Sequence, residues 1–239
     1  MEKSYLNCVL MALNKDITEV SVVIPTLNEE DNIKKAIDGV SRQLCKVSHE
    51  IIVVDGYSND RTVAIARENG AIVLFDNVGK GSALIKGFMN ARGSVIISMD
   101  ADLSNRPIEL RELIASIKSG YDISMGSRFI DGGRSDDISI IRQAGNKFFV
   151  FLVNAIFGSN YTDLCYGYRG FRKDILKDLD LKEMGFGIET EISIKARKKQ
   201  LKTIEIPSYE KKRAAGTPKL RTVHDGLRIL KTIIKNILV

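Results

Sequence analysis

The amino-acid sequence predicts an α/β fold in which a mostly parallel sheet is flanked by helices. In the first half of the chain, short apolar runs alternate with longer segments whose apolar residues recur at helical spacing. This alternation is typical of parallel sheets with right-handed crossovers. The runs at 20–25 and 51–55 are continuously apolar. Because strands of this kind are buried on both faces, we expect helices on both sides of the sheet.

The same spacing of apolar residues predicts the individual strands and helices. Strands are predicted at 20–25, 51–55, 71–75, 94–99, 121–125 and 202–206, and helices at 29–43, 82–92, 107–118, 142–157, 185–199 and 222–239. A further helix is expected between Asp60, as its N-cap, and Gly70, as its stop. Residues 128–141 are polar and glycine-rich, the composition of a mobile loop. We expect one domain at 20–220, an N-terminal arm at 1–19 and an amphipathic helix at 221–239.

Composition excludes several classes of protein. The chain has 239 residues, 44% of them hydrophobic, which is enough for a packed core. Its three cysteines are widely spaced, so neither a disulfide framework nor a zinc site is expected. A formal net charge of +6 favours polyanionic partners, but no nucleic-acid motif or stacking platform accompanies it, and we expect no nucleic acid as partner. No run of about 20 apolar residues is present, so no spanning helix is expected.

Three predicted strands end in residues that can carry chemistry, at Pro25–Glu29, Asp55–Asp60 and Asp100–Asp102. Ligands of parallel sheets bind beyond the carboxyl ends of the strands. The Asp-x-Asp pair can share a hard divalent cation, since Mg²⁺ keeps one or two protein carboxylates together with phosphate oxygens and water. Such a cation neutralises charge on a departing diphosphate. The pattern therefore predicts a site for Mg²⁺ or Mn²⁺ and a diphosphate.

Seven segments occur in an order that resembles the family-2 glycosyltransferases: PTLNE, VVDGYSND, GKGSALIKGF, DADLSNRP, GSRF, DLCYGYRGF and RAAGTPKL. The resemblance covers residues 20 to 235 and is strongest to the dolichyl-phosphate mannose synthase and polyprenyl-phosphate hexosyltransferase branch. It implies a Rossmann-like GT-A fold and metal-dependent, inverting transfer from a nucleotide-diphosphate sugar. The implied acceptor is a polyprenyl or dolichyl phosphate. The implied location is cytoplasmic, peripheral at the cytoplasmic face of the membrane.

The resemblance also assigns residues on the donor side. Pro25, Leu27, Glu29 and Asp55 would line the nucleoside pocket, Lys80 would touch the nucleotide sugar, Asp100, Ala101 and Asp102 would hold metal and diphosphate, and Ser104 would stand at a further metal-ligand position. Arg213 and Lys219, spaced as in an R-x5-K loop, would clamp the diphosphate when that loop closes. Leu27 replaces an aromatic residue common in the family, and Gly56 replaces an aspartate. The donor base, guanine or uracil, therefore stays open.

On the acceptor side, Arg128 and Arg142 resemble the pair that binds the acceptor phosphate, and Asn146 stands near a family serine. A phosphate acceptor needs cations to offset repulsion between two phosphate groups and no dedicated base. Asp163 could order its turn or face the acceptor. The first alternative is a hydroxyl acceptor, for which Asp163 or Glu189 would have to act as base. The second is an inactive nucleotide-sugar-binding module.

Two apolar segments could contact a membrane surface. In the closing helix, Val223, Leu227, Leu230, Ile234 and Ile237 form one broad stripe, with basic residues elsewhere. The aromatic-rich segment 148–157 is the second candidate. Each could pack on the core or lie in the membrane interface, as basic amphipathic helices do.

Overall fold

The computed structural model describes residues 18–214 and 222–238. Nine strands occur in these residues: β1 Val20–Thr26, β2 His49–Asp55, β3 Ile72–Phe75, β4 Val95–Ser98, β5 Ile123–Ser127, β6 Arg134–Ser135, β7 Arg169–Arg172, β8 Thr203–Pro207 and β9 Tyr209–Glu210. Eight α-helices accompany them in the same residues: α1 Ile33–Gln43, α2 Thr62–Glu68, α3 Lys80–Asn90, α4 Leu110–Lys118, α5 Ile140–Phe157, α6 Ile175–Asp178, α7 Ile188–Lys198 and α8 Thr222–Ile237. A 3₁₀ turn, Pro107–Glu109, precedes α4. The predicted N-terminal arm lies almost wholly outside the described residues.

Within the described part of the chain, seven strands form one sheet in the order β3-β2-β1-β4-β7-β5-β8. Strand β1 is parallel to both β2 and β4, in a register that places Thr26 beside Asp55 and Val23 beside Ser98. The carboxyl ends of β1, β2 and β4 therefore lie at one edge of the sheet. The predicted α/β architecture with a mostly parallel sheet is confirmed.

Helices cover both faces of this sheet, as the continuously apolar strands predict. Alternate residues of a strand point to opposite faces. Accordingly Val23, Ile52 and Val54 join one apolar cluster, and Val22, Ile24 and Val53 join another. The first cluster packs against α3, α5, α7 and α8, and the second against α1 and α4. Burial of this apolar surface is the main stabilising contribution to the domain.

Strand β7 is absent from the sequence prediction and is antiparallel to both neighbours, β4 and β5. Its sequence, Arg-Gly-Phe-Arg, has one apolar side chain and two arginines, so no hydrophobic period marks it. It is held in the sheet because Phe171 is buried and because Gly170 leaves room for Ile97 and Leu113.

The segment 128–141, for which composition predicts a mobile loop, contains short regular structure. Strand β6 pairs in parallel with β9, and Arg134 lies beside Tyr209 in that pair. The Arg134 guanidinium stacks on the Tyr209 ring at 4.1 Å. Strand β9 follows β8, the last strand that the sequence predicts. The apolar period does not reveal β6 and β9, because polar cross-strand contacts hold these two strands together.

Helix boundaries differ from the predictions by a few residues. Helix α1 begins at Ile33 and not at Glu29. Helix α2 has Arg61 at its N-cap, but the Asp60 carboxylate still accepts the Thr62 amide at 2.9 Å. Gly70 follows α2 with φ +81°, a conformation that favours glycine. Helix α5 begins two residues earlier than predicted because Ser139 caps it.

Two glycines bring the start of α3 close to the 183–185 segment. A Cβ at Gly79 would lie 2.5 Å from the Met184 carbonyl oxygen, and one at Gly81 would lie 2.2 Å from the Glu183 carbonyl oxygen. The Ser82 amide donates to the Met184 carbonyl at 3.1 Å. The Gly-Lys-Gly sequence is therefore needed for backbone packing, which places Lys80 against the beginning of α7.

Candidate functional site

A cavity of about 410 Å³ opens at the edge of the sheet where β1, β2 and β4 end. At one end it is lined by Pro25, Leu27, Gly56, Asp76 and Asn77. At the other end it is lined by residues of α5 and α8, including Arg142, Gly145, Phe149 and Ile229. Charged side chains occupy its middle: Lys80, Asp100, Asp102, Arg128, Glu189 and Arg213. The cavity therefore has a polar centre between two different ends.

The turn after β4 presents Asp100 and Asp102 to the cavity. The Asn105 side-chain oxygen accepts the Asp100 amide at 2.7 Å, and the Asp102 carboxylate accepts the Ser104 amide at 3.0 Å. Leu103, between Asp102 and Ser104, has a φ of +65°. Ala101 is buried at the cavity wall, where its small side chain leaves the space open. Ser104 lines the cavity, but its hydrogen bonds to Asp102 and Lys211 run through its backbone.

Lys80 lies between two carboxylates. Its Nζ atom is 2.9 Å from Asp100 Oδ1 and 3.0 Å from Glu189 Oε1. Burial alone would lower the pKa of Lys80, but the charges of Asp100 and Glu189 outweigh it and hold that pKa well above its usual value. Gly167 leaves space for this cluster, since a Cβ there would lie 3.0 Å from Lys80 Nζ. Lys80 therefore stays charged at the centre of the cavity.

Arg213 meets the second aspartate. One guanidinium nitrogen is 2.6 Å from Asp102 Oδ2 and another is 3.5 Å from Glu29 Oε1. Among the described residues, the buried Nε of Arg213 has no hydrogen-bond partner. Lys219, the second member of the predicted loop pair, lies outside the described residues. The terminal nitrogens of Arg213 therefore contact Asp102 and Glu29, while its Nε–H group has no partner among the described residues.

Arg128 is nearly buried and is held on three sides. Its Nε and Nη2 atoms donate to the two Asp163 carboxylate oxygens at 2.7 and 3.0 Å, and its Nη1 lies 3.2 Å from Glu210. Its guanidinium lies 4.9 Å from the centre of the Tyr166 ring. Burial alone would lower the pKa of Arg128, but Asp163 reverses this and keeps it raised. Arg128 lines the cavity with its charge already matched by carboxylates.

Asp163 is buried, and its carboxylate is occupied by Arg128 and by the Cys165 amide. It is not among the residues that line the cavity. Of its two possible roles, the geometry fits the ordering of the 163–166 turn and of Arg128. A carboxylate so enclosed is out of reach of an acceptor hydroxyl, which a general base must approach to hydrogen-bond distance.

Arg142 and Asn146 lie one turn apart on α5 and both line the cavity. The Arg142 Nε lies 3.5 Å from the Thr222 hydroxyl at the start of α8. Asn146 is buried, and its side-chain oxygen accepts the amides of Leu164 and Cys165 at 3.1 and 3.2 Å. This fixes the amide orientation, so Asn146 Nδ2 faces the other way, where it has no partner among the described residues. Sequence reasoning noted Asn146 without assigning it to the site.

Asp55, which the resemblance assigns to the nucleoside pocket, does not lie at the cavity wall. This residue is fully buried, and its carboxylate accepts the hydroxyls of Thr26 and Ser58 at 3.0 and 2.6 Å. Asp55 does not line the cavity and shapes the loop after β2 instead. Pro25, Leu27 and Glu29 do line it. Asp76, whose carboxylate accepts the Ser82 hydroxyl of α3 at 2.9 Å, also lines the cavity; it was missed because an isolated Asp-Asn after a strand carries no sequence signal.

The profile of glycosyl transferase family 2 matches residues 21–180, more than half of the chain. The chain is a family 2 glycosyltransferase. The dolichol-phosphate mannosyltransferase of Pyrococcus furiosus is 34% identical over 227 residues, covering 91% of this chain and 64% of that protein. The polyprenol monophosphomannose synthase of Mycolicibacterium smegmatis is 29% identical, covering 83% and 80% of the two chains. This family 2 chain thus spans slightly less than two thirds of the length of the P. furiosus protein.

Solved structures confirm the GT-A fold of this glycosyltransferase. The glucosyl-3-phosphoglycerate synthase of Mycobacterium tuberculosis, in complex with Mn²⁺, UDP and glucosyl-3-phosphoglycerate, superposes with a TM-score of 0.73. The two sequences are 21% identical over 94% of this chain and 82% of the other. At that identity the likeness concerns the fold alone.

The donor set of the glycosyltransferase fits a divalent cation of the Mg²⁺ type. Within residues 18–214 and 222–238, no group of three or more His, Cys, Asp or Glu side chains could hold a metal by itself. Asp100 and Asp102 supply two carboxylates at the cavity, and Mg²⁺ usually takes one or two of these with substrate phosphates and water. The Arg213 guanidinium contacts Asp102, and its N–H groups are of the kind that bind phosphate oxygens. The residues therefore suit a metal that arrives with a diphosphate.

Proposed function

We propose that this family 2 glycosyltransferase transfers a hexosyl group, with inversion, from a nucleotide-diphosphate sugar to a polyprenyl or dolichyl phosphate, with Mg²⁺ or Mn²⁺ as cofactor. The donor is GDP-mannose or a UDP-sugar. One observation carries the proposal. A single cavity holds Asp100 and Asp102 beside the nucleoside end, and Arg142 and Asn146 beside the end formed by α5 and α8. The 34% identity to a dolichol-phosphate mannosyltransferase supports the same acceptor class.

On the donor side, the cations of the cavity bind and orient the diphosphate. Arg213 and Lys80 move part of their hydrogen bonding from carboxylates to phosphate oxygens, for which a guanidinium is well shaped. Pro25 and Leu27 bound the nucleoside end. Asp100 and Asp102 would hold a divalent cation, which would neutralise charge on the leaving diphosphate as a Lewis acid.

On the acceptor side, Arg142 and the Asn146 amide hold the lipid phosphate with one oxygen facing the anomeric carbon. That oxygen forms the new bond to carbon while the carbon–oxygen bond to the diphosphate breaks on the opposite side, which inverts the configuration. A phosphate monoester is largely dianionic at neutral pH, so no base has to remove a proton. Positioning and charge neutralisation are the effects that the side chains supply.

An apolar surface beside the cavity supports a lipid acceptor. Four residues of the stripe predicted on α8 are exposed, Val223, Leu227, Ile234 and Ile237, whereas Ile229 and Ile233 pack on the core. Helix α5, which contacts α8, exposes Ile140, Ile141, Phe148 and Phe151. In the described residues no helix is long and apolar enough to cross a membrane. We propose that this surface, the α5–α8 face, lies in the membrane interface at the cytoplasmic side.

The experiment that tests the proposal compares two acceptors. Purified protein with Mn²⁺ is given GDP-mannose or UDP-sugars, together with a short polyprenyl phosphate or the matching polyprenol. We expect transfer to the phosphate alone, with a β-linked product from an α-linked donor. Equal use of both acceptors would favour the hydroxyl-acceptor alternative, for which Glu189 is the carboxylate at the cavity wall. Donor binding without transfer to either would favour the inactive binding module.

A further inference from the structure

Tyr166 does not line the cavity, but it contacts both Arg128 in the cavity wall and Asn105 in the aspartate turn. It follows Cys165 in the turn before β7 and is only 2% exposed. Its ring packs on the backbone of β5, because a Cβ at Gly126 would lie 3.0 Å from the Tyr166 Cε1 atom. The face of the ring lies 4.9 Å from the Arg128 guanidinium. A contact of this geometry is a cation–π interaction, which strengthens when both partners are removed from water.

The Tyr166 ring completes the fixation of Arg128. Asp163 and Glu210 hold the edge of the guanidinium through its N–H groups. The rings of Phe129 and Tyr166 also lie against this guanidinium, with ring centres 5.4 and 4.9 Å from its central carbon. Phe129 follows Arg128 directly in the chain, so Tyr166 is the ring that joins the guanidinium to a distant segment.

The hydroxyl of Tyr166 contacts buried polar groups behind the aspartate turn. It accepts a hydrogen bond from Asn105 Nδ2 at 3.0 Å, and its oxygen lies 3.2 Å from the Ser208 hydroxyl. Ser208 in turn donates to Glu109. These groups are buried, so each lost partner would leave a polar atom without water.

Asn105 transmits this contact to the aspartate turn. Its side-chain oxygen accepts the Asp100 amide at 2.7 Å. The two ends of one planar amide thus join the Tyr166 hydroxyl to the backbone of Asp100. If the hydroxyl is removed, the amide loses the contact that sets its rotation, and the Asp100 amide loses a well-oriented acceptor.

We infer that Tyr166 is a positioning residue that sets the Asp100 turn and Arg128 relative to each other, through its hydroxyl and its ring respectively. The inference rests on the proposed function, which assigns the Asp100 turn to metal and diphosphate, and on Arg128 at the wall of the same cavity, where the sequence predicts that it binds the acceptor phosphate. Tyr166 touches neither substrate. It acts through Asn105 on one side and through the guanidinium plane on the other.

The hydroxyl is tested by binding. Calorimetry measures the affinity for the nucleotide diphosphate with Mn²⁺ in wild type, Tyr166→Phe, Asn105→Ala and the double variant. We expect each single change to weaken binding about three- to tenfold, the range for one hydrogen bond. The double variant should be no weaker than the poorer single variant, because both changes break one chain of contacts. Tyr161→Phe is the matched control, since this tyrosine is also buried but its hydroxyl donates to the Ser193 carbonyl on α7 at 2.9 Å.

The ring is tested by kinetics with the lipid phosphate. Tyr166→Phe keeps the cation–π contact and should leave the acceptor KM unchanged, while Tyr166→Leu should raise it severalfold. If Tyr166→Phe binds the nucleotide and Mn²⁺ as wild type does, or if the effects of the two single changes add, the inference is wrong even though transfer persists. If wild type binds no nucleotide with Mn²⁺, the proposed function fails and the inference fails with it. Circular dichroism melts of Tyr166→Phe establish that the fold is retained.

Discussion

At the candidate diphosphate position, each of the two aspartates meets a basic side chain. Asp100 contacts Lys80 at 2.9 Å, and Asp102 contacts Arg213 at 2.6 Å. These contacts pair the carboxylates at the cavity wall, where Asp102 is buried and a charge without a partner would be costly. The same basic groups can turn to a phosphate when one arrives. Single substitutions here should therefore change ligand binding more than folding.

Asp102→Asn should reduce transfer at least about 100-fold with Mg²⁺ or Mn²⁺, because an amide oxygen is a weaker ligand for a hard cation than a carboxylate oxygen. The melting temperature should change little, since the side chain stays isosteric. Radiolabel transfer and thermal melts measure the two effects. Asp38→Asn, which alters an exposed pair with Lys34, is the control and should retain full activity. Wild-type turnover by the Asp102 variant would contradict the metal assignment.

Arg213→Gln should weaken binding of the donor about tenfold or more, the range for a hydrogen bond to a charged group. Lys212→Gln removes an equal charge from an exposed neighbouring residue and should have little effect. Titration of each variant with the donor and Mn²⁺ measures the difference. Equal losses in both variants would mean that net charge, and not the fork at Asp102, governs binding.

Arg142→Ala should raise the acceptor KM by about tenfold or more while the donor affinity stays within a factor of about two, because the guanidinium faces the α5–α8 end of the cavity. Asn146→Ala should act in the same direction and more weakly. Arg111→Ala, an exposed arginine on α4, serves as the control. Donor affinity and acceptor KM are measured separately for each variant. A loss of donor affinity in Arg142→Ala as large as the rise in acceptor KM would contradict the assignment of Arg142 to the acceptor side.

At the scale of elements, the apolar period predicts the parallel strands and most helices because a buried face leaves a regular pattern. The same reasoning misses β7, whose Arg169 is fully buried but satisfied by carbonyl groups of Leu164, Tyr166 and Glu189. It also misplaces Asp55, because a strand-end carboxylate looks the same whether it faces the cavity or the loop. Asp100 and Asp102 line the cavity directly after β4, where ligands of parallel sheets bind. The pairing of Arg128 with Asp163 needs three-dimensional coordinates.

The α5–α8 face provides the prediction at this scale. Phe148→Ser with Phe151→Ser should reduce binding to vesicles of anionic lipid about tenfold or more, since both rings are more than half exposed and their transfer to lipid would be lost. The melting temperature should be retained. Met89→Ser removes an exposed apolar side chain from α3 and is the control. Sedimentation with vesicles provides the measurement, and unchanged binding of the double variant would show that another surface meets the membrane.

For the whole molecule, binding of donor and metal should raise the thermal stability, because only the folded state carries the site. At a ligand concentration of about 100 times Kd the gain is about 2.7 kcal/mol, which corresponds to roughly 5–10 °C for a domain of this size. Scanning fluorimetry with each nucleotide sugar, with and without Mn²⁺, measures the shift. In wild type, chelation of Mn²⁺ should remove most of the donor-induced increase in melting temperature. In Asp102→Asn, the donor should give nearly the same melting temperature with and without Mn²⁺. A donor shift independent of metal in wild type would contradict the proposed cofactor.

The two ion pairs have a consequence for the order in which ligands arrive. The centre of the cavity gathers Lys80 and Arg213 together with Glu29, Asp100, Asp102 and Glu189. Over the cavity as a whole, eight acidic and four basic side chains line the wall, so the cavity without ligand repels an anion and attracts a cation. A free diphosphate approaching alone would meet that repulsion, whereas one already carrying a divalent ion would not. The enzyme would thus select the metal-bound form of its sugar donor from solution.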